Sequence, residues 1–170
     1  TARTNLGLAI GTDVQAYNAT YVVDADIGVT VQGYDVDTAK LDVVQTFTAN
    51  QSITGELIAT SYNETYAAVT STSNATTVNC EAGNTFSHTL TEDTTFTFSN
   101  PPTSGTGYSF TLKIVQDSTA RAITWPASVD WAAATAPTIS TGSGEVDVFV
   151  FFTTDGGTTF YGFTAGQVLS

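Results

Sequence analysis

The chain has one histidine, His88, and one cysteine, Cys80, in 170 residues. A Ser–His–acid triad needs the histidine beside a serine and oriented by a carboxylate. Ser87 adjoins His88, but successive strand residues point to opposite faces, and no Gly-x-Ser-x-Gly elbow surrounds Ser87. The expectation is a solvent-facing strand histidine without a catalytic role. Zinc sites draw on several His or Cys side chains, and one of each is too few. Cys80 has no adjoining cation to activate it, which predicts a small buried residue rather than a reactive thiol.

Carboxylates are more abundant, with 16 Asp and Glu against 4 Lys and Arg. Asp24-Ala25-Asp26 and Asp35-Val36-Asp37 have a spacing that offers two oxygens to calcium, but neither has the remaining ligands of a loop motif. Both read as polar turns that close repeat units. Glycoside hydrolysis needs two carboxylates across a sugar cleft. Asp130 is the one acid close to rings on which a sugar stacks, Trp125 and Trp131, and tryptophans in strands read first as core. No phosphate loop or dinucleotide fingerprint is present. The expectation is a non-enzyme with no cofactor, no metal and no catalytic residue.

The formal net charge is −12, and the four cations, Arg3, Lys40, Lys113 and Arg121, are too few to neutralise a phosphate backbone. Nucleic acid is therefore excluded as a partner. Membrane insertion is not expected, because no apolar run reaches the roughly 18 residues of a spanning helix. Thirty-four Thr and thirteen Ser solvate the chain in place of charge. Threonine is β-branched, so this composition favours strands and an all-β fold.

Rings and prolines divide the chain. Nine of ten Phe, both Trp and all four Pro follow residue 80, whereas the first 79 residues hold one Phe, Phe47. That half is too thin to form its own core. It also repeats: Ile10-Gly11-Thr12-Asp13-Val14-Gln15-Ala16-Tyr17-Asn18 recurs as Ile27-Gly28-Val29-Thr30-Val31-Gln32-Gly33-Tyr34-Asp35, an offset of 17 residues. The reading is a stalk over 1–77, with a short helix at 3–9 and β repeats, that buries its apolar residues against other copies of itself. Strands are expected at Asp42–Thr48 and at Ser52–Ala59, broken at Gly55. The segment 70–77 has no apolar period and marks the boundary to a head over 78–170. With a single cysteine, no intrachain disulfide forms, and oligomerisation is the expected stabiliser.

In the head, Thr95–Phe98 and Tyr108–Ile114 alternate as half-buried strands. Val146–Phe152 is apolar on both faces, and Asp155-Gly156-Gly157 turns it back onto Phe160–Phe163. A two-residue turn puts Phe160 with Phe149 and Phe151, and Tyr161 and Phe163 on the other face. Both faces are expected to be buried, one in the head's own core and the other against a second sheet or a neighbouring subunit. The stretches 101–107 and 132–144 have the Gly, Ser and Thr content of exposed tips.

Residues 2–17, Ala2-Arg3-Thr4-Asn5-Leu6-Gly7-Leu8-Ala9-Ile10-Gly11-Thr12-Asp13-Val14-Gln15-Ala16-Tyr17, resemble a segment common in bacteriophage tail fibres. Val43–Gln51 is similar to fibre shaft segments. Ala82–Phe86, Thr124-Trp125-Pro126, Trp131, Ala136-Pro137-Thr138 and Asp155–Gly162 resemble terminal fibre domains of marine and cyanobacterial tailed phages. The resemblance implies a virion protein: a parallel homotrimer with an intertwined stalk and a β-sandwich, jelly-roll-like head. It implies other virion proteins as partners at the N-terminal end, and a host-surface glycan or protein at the head. Whole fibres also carry an anchoring domain that is not visible here, and the chain lacks Met. A truncated or cleaved fibre, or a short head-decoration fibre, is expected. Tyr108, Trp131 and Tyr161 are the receptor-binding candidates, each of which also suits core or rim packing. The alternatives are a capsid or tail decoration or assembly protein without a receptor, a polysaccharide depolymerase with a carboxylate pair, and a monomeric carbohydrate-binding module.

Overall fold

A computed structural model describes residues 46–170. The chain divides between Ile58 and Ala59, and the second unit, Ala59–Ser170, carries every strand described. The helix expected at 3–9, the 17-residue repeat, Asp24, Asp26, Asp35, Asp37 and residues 42–45 lie outside the described residues.

The unit is all-β. Its strands are β1 (Tyr66–Ala68), β2 (Ala75–Asn79), β3 (Thr85–Leu90), β4 (Thr94–Ser99), β5 (Tyr108–Gln116), β6 (Ile123–Thr124), β7 (Val129–Trp131), β8 (Val146–Thr153) and β9 (Phe160–Leu169). They form a six-stranded sheet, β1-β3-β5-β8-β9-β7, and a three-stranded sheet, β2-β4-β6. Strands β1 to β6 alternate between the two sheets, and within each sheet they pair in parallel. The chain thus winds as a coil, crossing to the other sheet and back with each turn. The C-terminal strands then widen the larger sheet. β8 is antiparallel to β5 and β9, and β7 runs parallel to β9 at the edge. A jelly roll is a double sheet of Greek keys, so this parallel coil departs from the jelly-roll-like head.

Period-two alternation builds the core between the sheets. Phe86, Leu90, Phe96, Phe110, Leu112, Ile114, Phe149, Phe151 and Phe160 are all buried. The half-buried Phe98 reaches across from the smaller sheet, its ring 5.0 Å from Phe110, 5.0 Å from Phe151 and 5.1 Å from Phe160. Each fully buried phenylalanine contributes about 1.5–3 kcal/mol by leaving water.

Two local expectations change. Residues 46–65 form no strand, although strands are expected at 42–48 and 52–59; Phe47, Ile53, Leu57, Ile58 and Tyr62 are exposed, with no ladder partner among the described residues. The boundary read at 77/78 falls inside β2. Thr76 is buried beside Val78 while Ala75 and Thr77 face out, so a threonine methyl serves as a core group that a polar reading passes over.

The β8–β9 hairpin has the expected register. Phe151 is opposite Gly162 and Phe152 opposite Tyr161, around Gly156 and Gly157, whose φ angles are 74° and 77°. A positive φ at both suits glycine, and the strands are joined by the longer connection 154–159 rather than by the expected two-residue turn, with the same residues sharing each face. Asp155 Oδ1 accepts from Thr159 N at 3.0 Å and holds the turn. One face of the hairpin is buried in the core. On the other, Val146, Val148 and Val150 are half-buried, and Phe152, Tyr161 and Phe163 are 39, 45 and 55% exposed.

Candidate functional site

Strand β7 is short and ends at the sheet edge, leaving β9 to run on beside open space. Their parallel register pairs Asp130 with Tyr161 and Trp131 with Gly162. Laterally paired residues share a face, so Asp130 and Tyr161 stand side by side on the outer surface while Trp131 turns inward. After Trp131 the chain makes a tight turn in which Ala133 and Ala134 have φ of 55° and 52°, a left-handed conformation that a side chain disfavours. The turn, the strand end and β9 enclose a groove of about 380 Å³ lined by Asp130, Trp131, Ala132, Ala133, Ala134, Tyr161, Gly162 and Phe163.

Trp131 is 8% exposed, and its ring centroid lies 5.3 Å from Trp125, 5.9 Å from Phe149 and 5.6 Å from Phe151. Its seat depends on Gly162: a Cβ there would stand 2.7 Å from two ring carbons and 3.0 Å from a third. Asp130 is exposed and forms no ion pair among the described residues, where the one salt bridge is Arg121–Asp117 at 3.2 Å. The groove therefore offers an aromatic wall, a free carboxylate and no cation.

Of the three receptor-binding candidates, the structure brings Trp131 and Tyr161 together and leaves Tyr108 apart. The Tyr108 hydroxyl donates to Gly83 O at 2.6 Å, and its ring is half-buried 5.9 Å from Phe110. Burial first, then the neighbouring Cys80, pushes its pKa up. Tyr108 serves as packing. Phe163, Gly162 and the Ala132–Ala134 turn complete the groove and were not singled out from sequence. The available signal was the small residue between two rings in Tyr161-Gly162-Phe163.

The loop 132–144 is exposed over most of its length but is pinned at Ser140. Asp147, buried on β8, accepts from Ser140 N at 2.7 Å, Ser140 Oγ at 2.5 Å and Val168 N at 3.2 Å. Gln116 Nε2 donates to Ser140 O at 2.7 Å. This network fixes the far end of the loop whose start forms the groove.

The remaining chemistry-bearing residues are structural in their placement. His88 is buried, not solvent-facing: Phe86 and Leu90 share its face, and its ring meets Phe96 edge-on at 5.4 Å. Its Nδ1 lies 2.9 Å from Val69 O, a carbonyl that only accepts, so Nδ1 carries the hydrogen. Ser87 lies on the opposite face, its Oγ 2.6 Å from the Tyr66 hydroxyl. Cys80 is buried, and desolvation pushes its thiol pKa up to about 11 against a smaller lowering by a hydrogen bond with Tyr108. Among the described residues no three His, Cys, Asp or Glu side chains gather as a metal site. Nor is any described helix long and apolar enough to cross a membrane.

Comparison of the chain with models of protein families, with curated protein sequences and with solved structures finds no match.

Proposed function

We propose that the chain is a structural fibre protein of a tailed bacteriophage virion, a homotrimer whose C-terminal head attaches to a receptor on the host surface. The observation that carries the reading is the outer face of β8 and β9. It is apolar along its length, and the described residues leave it uncovered, with Phe152, Tyr161 and Phe163 exposed beside three half-buried valines. A contiguous apolar surface of this kind marks an interaction site on a soluble domain. Copies meeting around a common axis cover the valines and Phe152 on β8, and leave Tyr161 and Phe163, on the β7 side, open as the groove wall. The exposed Phe47, Ile53, Leu57, Ile58 and Tyr62 support the same reading for the segment before the head.

The fibre resemblance supplies the virion setting and places other virion proteins at the N-terminal end. Attachment rests on the groove at the border of the apolar face, where Trp131 and Tyr161 meet Asp130. A trimer presents three such grooves, and linked sites bind with an avidity well above that of one. Individually weak sites are then enough for adsorption, without catalysis or a cofactor.

Antibody raised against the purified chain tests this on virions. The expected result is label at the ends of tail or surface fibres together with loss of adsorption. Label over the capsid or tail tube with adsorption intact points instead to a decoration or assembly protein.

A further inference from the structure

We infer that the groove beyond β7 receives an organic ammonium group carried by the receptor, either an alkylammonium or the free amine of an amino sugar. The inference rests on the receptor-binding reading of this groove and specifies its ligand.

Among the described residues, Asp130 is the one charged side chain lining the groove and has no ion-pair partner. The parallel register sets it directly beside Tyr161, and Phe163 extends the exposed aromatic surface two residues further along β9. An aromatic face carries a negative quadrupole that attracts a cation within roughly 6 Å of the ring centre. A carboxylate next to that face adds a charge of the same sign. Rings and carboxylate therefore favour the same kind of ligand.

The nearest alternatives are disfavoured by the same groups. An anionic sugar meets Asp130, the ring faces and a chain of net charge −12. Lys113 is too far away to compensate: it lies on β5, three strand spacings from β7 in the order β5-β8-β9-β7. At about 4.8 Å per spacing that is roughly 14 Å, beyond the Debye length of about 8 Å at physiological salt. Arg121 is already paired with Asp117. A neutral sugar stacks on Tyr161 but leaves the carboxylate's charge unused.

The test titrates the full chain with choline chloride, glucosamine, glucose and N-acetylglucosamine, read by protein chemical shifts and tryptophan fluorescence. Choline or glucosamine is expected to saturate the groove at millimolar concentration, with the two neutral sugars about ten-fold weaker. Binding is expected to weaken between 20 mM and 500 mM salt by way of screening. Asp130→Asn, at an exposed position, is expected to cost about ten-fold while leaving the melting temperature unchanged; Tyr161→Ala is expected to weaken the ammonium ligands as well. Saturation by choline alone identifies an alkylammonium receptor, and saturation by glucosamine alone an amino sugar. Neutral sugars binding as well as glucosamine, or none of the four ligands binding, overturns the inference. If the purified chain still blocks phage adsorption in that case, the receptor-binding reading stands and only the ligand class falls.

Discussion

Gly162→Ala puts one methyl group into the contact between β9 and the Trp131 ring. The added carbon would sit 2.7 Å from two ring atoms, against an ordinary carbon contact of about 3.5–4.0 Å. The ring must therefore move by close to an ångström. It has little freedom to do so, because Trp125, Phe149 and Phe151 pack around it with centroids at 5.3, 5.9 and 5.6 Å. Overpacking of this kind costs about 1–3 kcal/mol. For a domain of this size each kcal/mol lowers the melting temperature by roughly 4–8 °C, so a fall of about 5–20 °C is expected. Thermal unfolding followed by near-ultraviolet circular dichroism measures it, and tryptophan emission reports displacement of the ring. Phe163→Ala, one position along and 55% exposed, is the control and costs under about 1 kcal/mol. A Gly162→Ala melting curve and near-ultraviolet spectrum that match the parent chain would refute the packing on which the groove is built.

Phe110→Ala removes a ring that packs 5.0 Å from both Phe98 and Phe151, and a loss of about 3–5 kcal/mol is expected in urea unfolding. Asp147→Ala leaves the buried Ser140 N and Oγ without their carboxylate acceptor, at about 1–3 kcal/mol per unsatisfied group, while Val168 N keeps Ser140 Oγ as an acceptor; hydrogen exchange at the Ser140 amide should quicken first. Raising the pH above 9 should lower stability. The unfolded thiol of Cys80 ionises from about 9.0 and the folded thiol only from about 11, so the native state holds more protons across that window. Tyr108, whose pKa is also raised by burial, acts in the same direction, and denaturant midpoints at pH 8 and pH 10 compare the two conditions.

Much of the head is legible in sequence because its strands alternate cleanly. Thr95–Phe98, Tyr108–Ile114 and the 146–163 hairpin show which residues point inward, and Gly156-Gly157 fixes the hairpin register. What alternation does not carry is the direction of a neighbouring strand, so the parallel coil of β1 to β6 was hidden. β2 was missed because its inward residues are Thr76 and Val78, and threonine reads as polar even when its methyl is buried. His88 was expected to face solvent as a strand histidine without a catalytic role. Counting by two from Phe86 and Leu90 puts it in the core. The groove was half legible. Trp131 and Tyr161 stood out as rings, but they lie 30 positions apart in sequence, and only the pairing of a three-residue edge strand with β9 brings them and Asp130 together.

The most direct test of the fibre account is the solution mass of the purified chain by light scattering. Three copies of the 17.8 kDa chain give about 53 kDa, the value the account predicts for an assembly that covers the outer face of β8. A mass of 17.8 kDa would contradict it, because the apolar face and the exposed segment before the head would then stay in water without a partner.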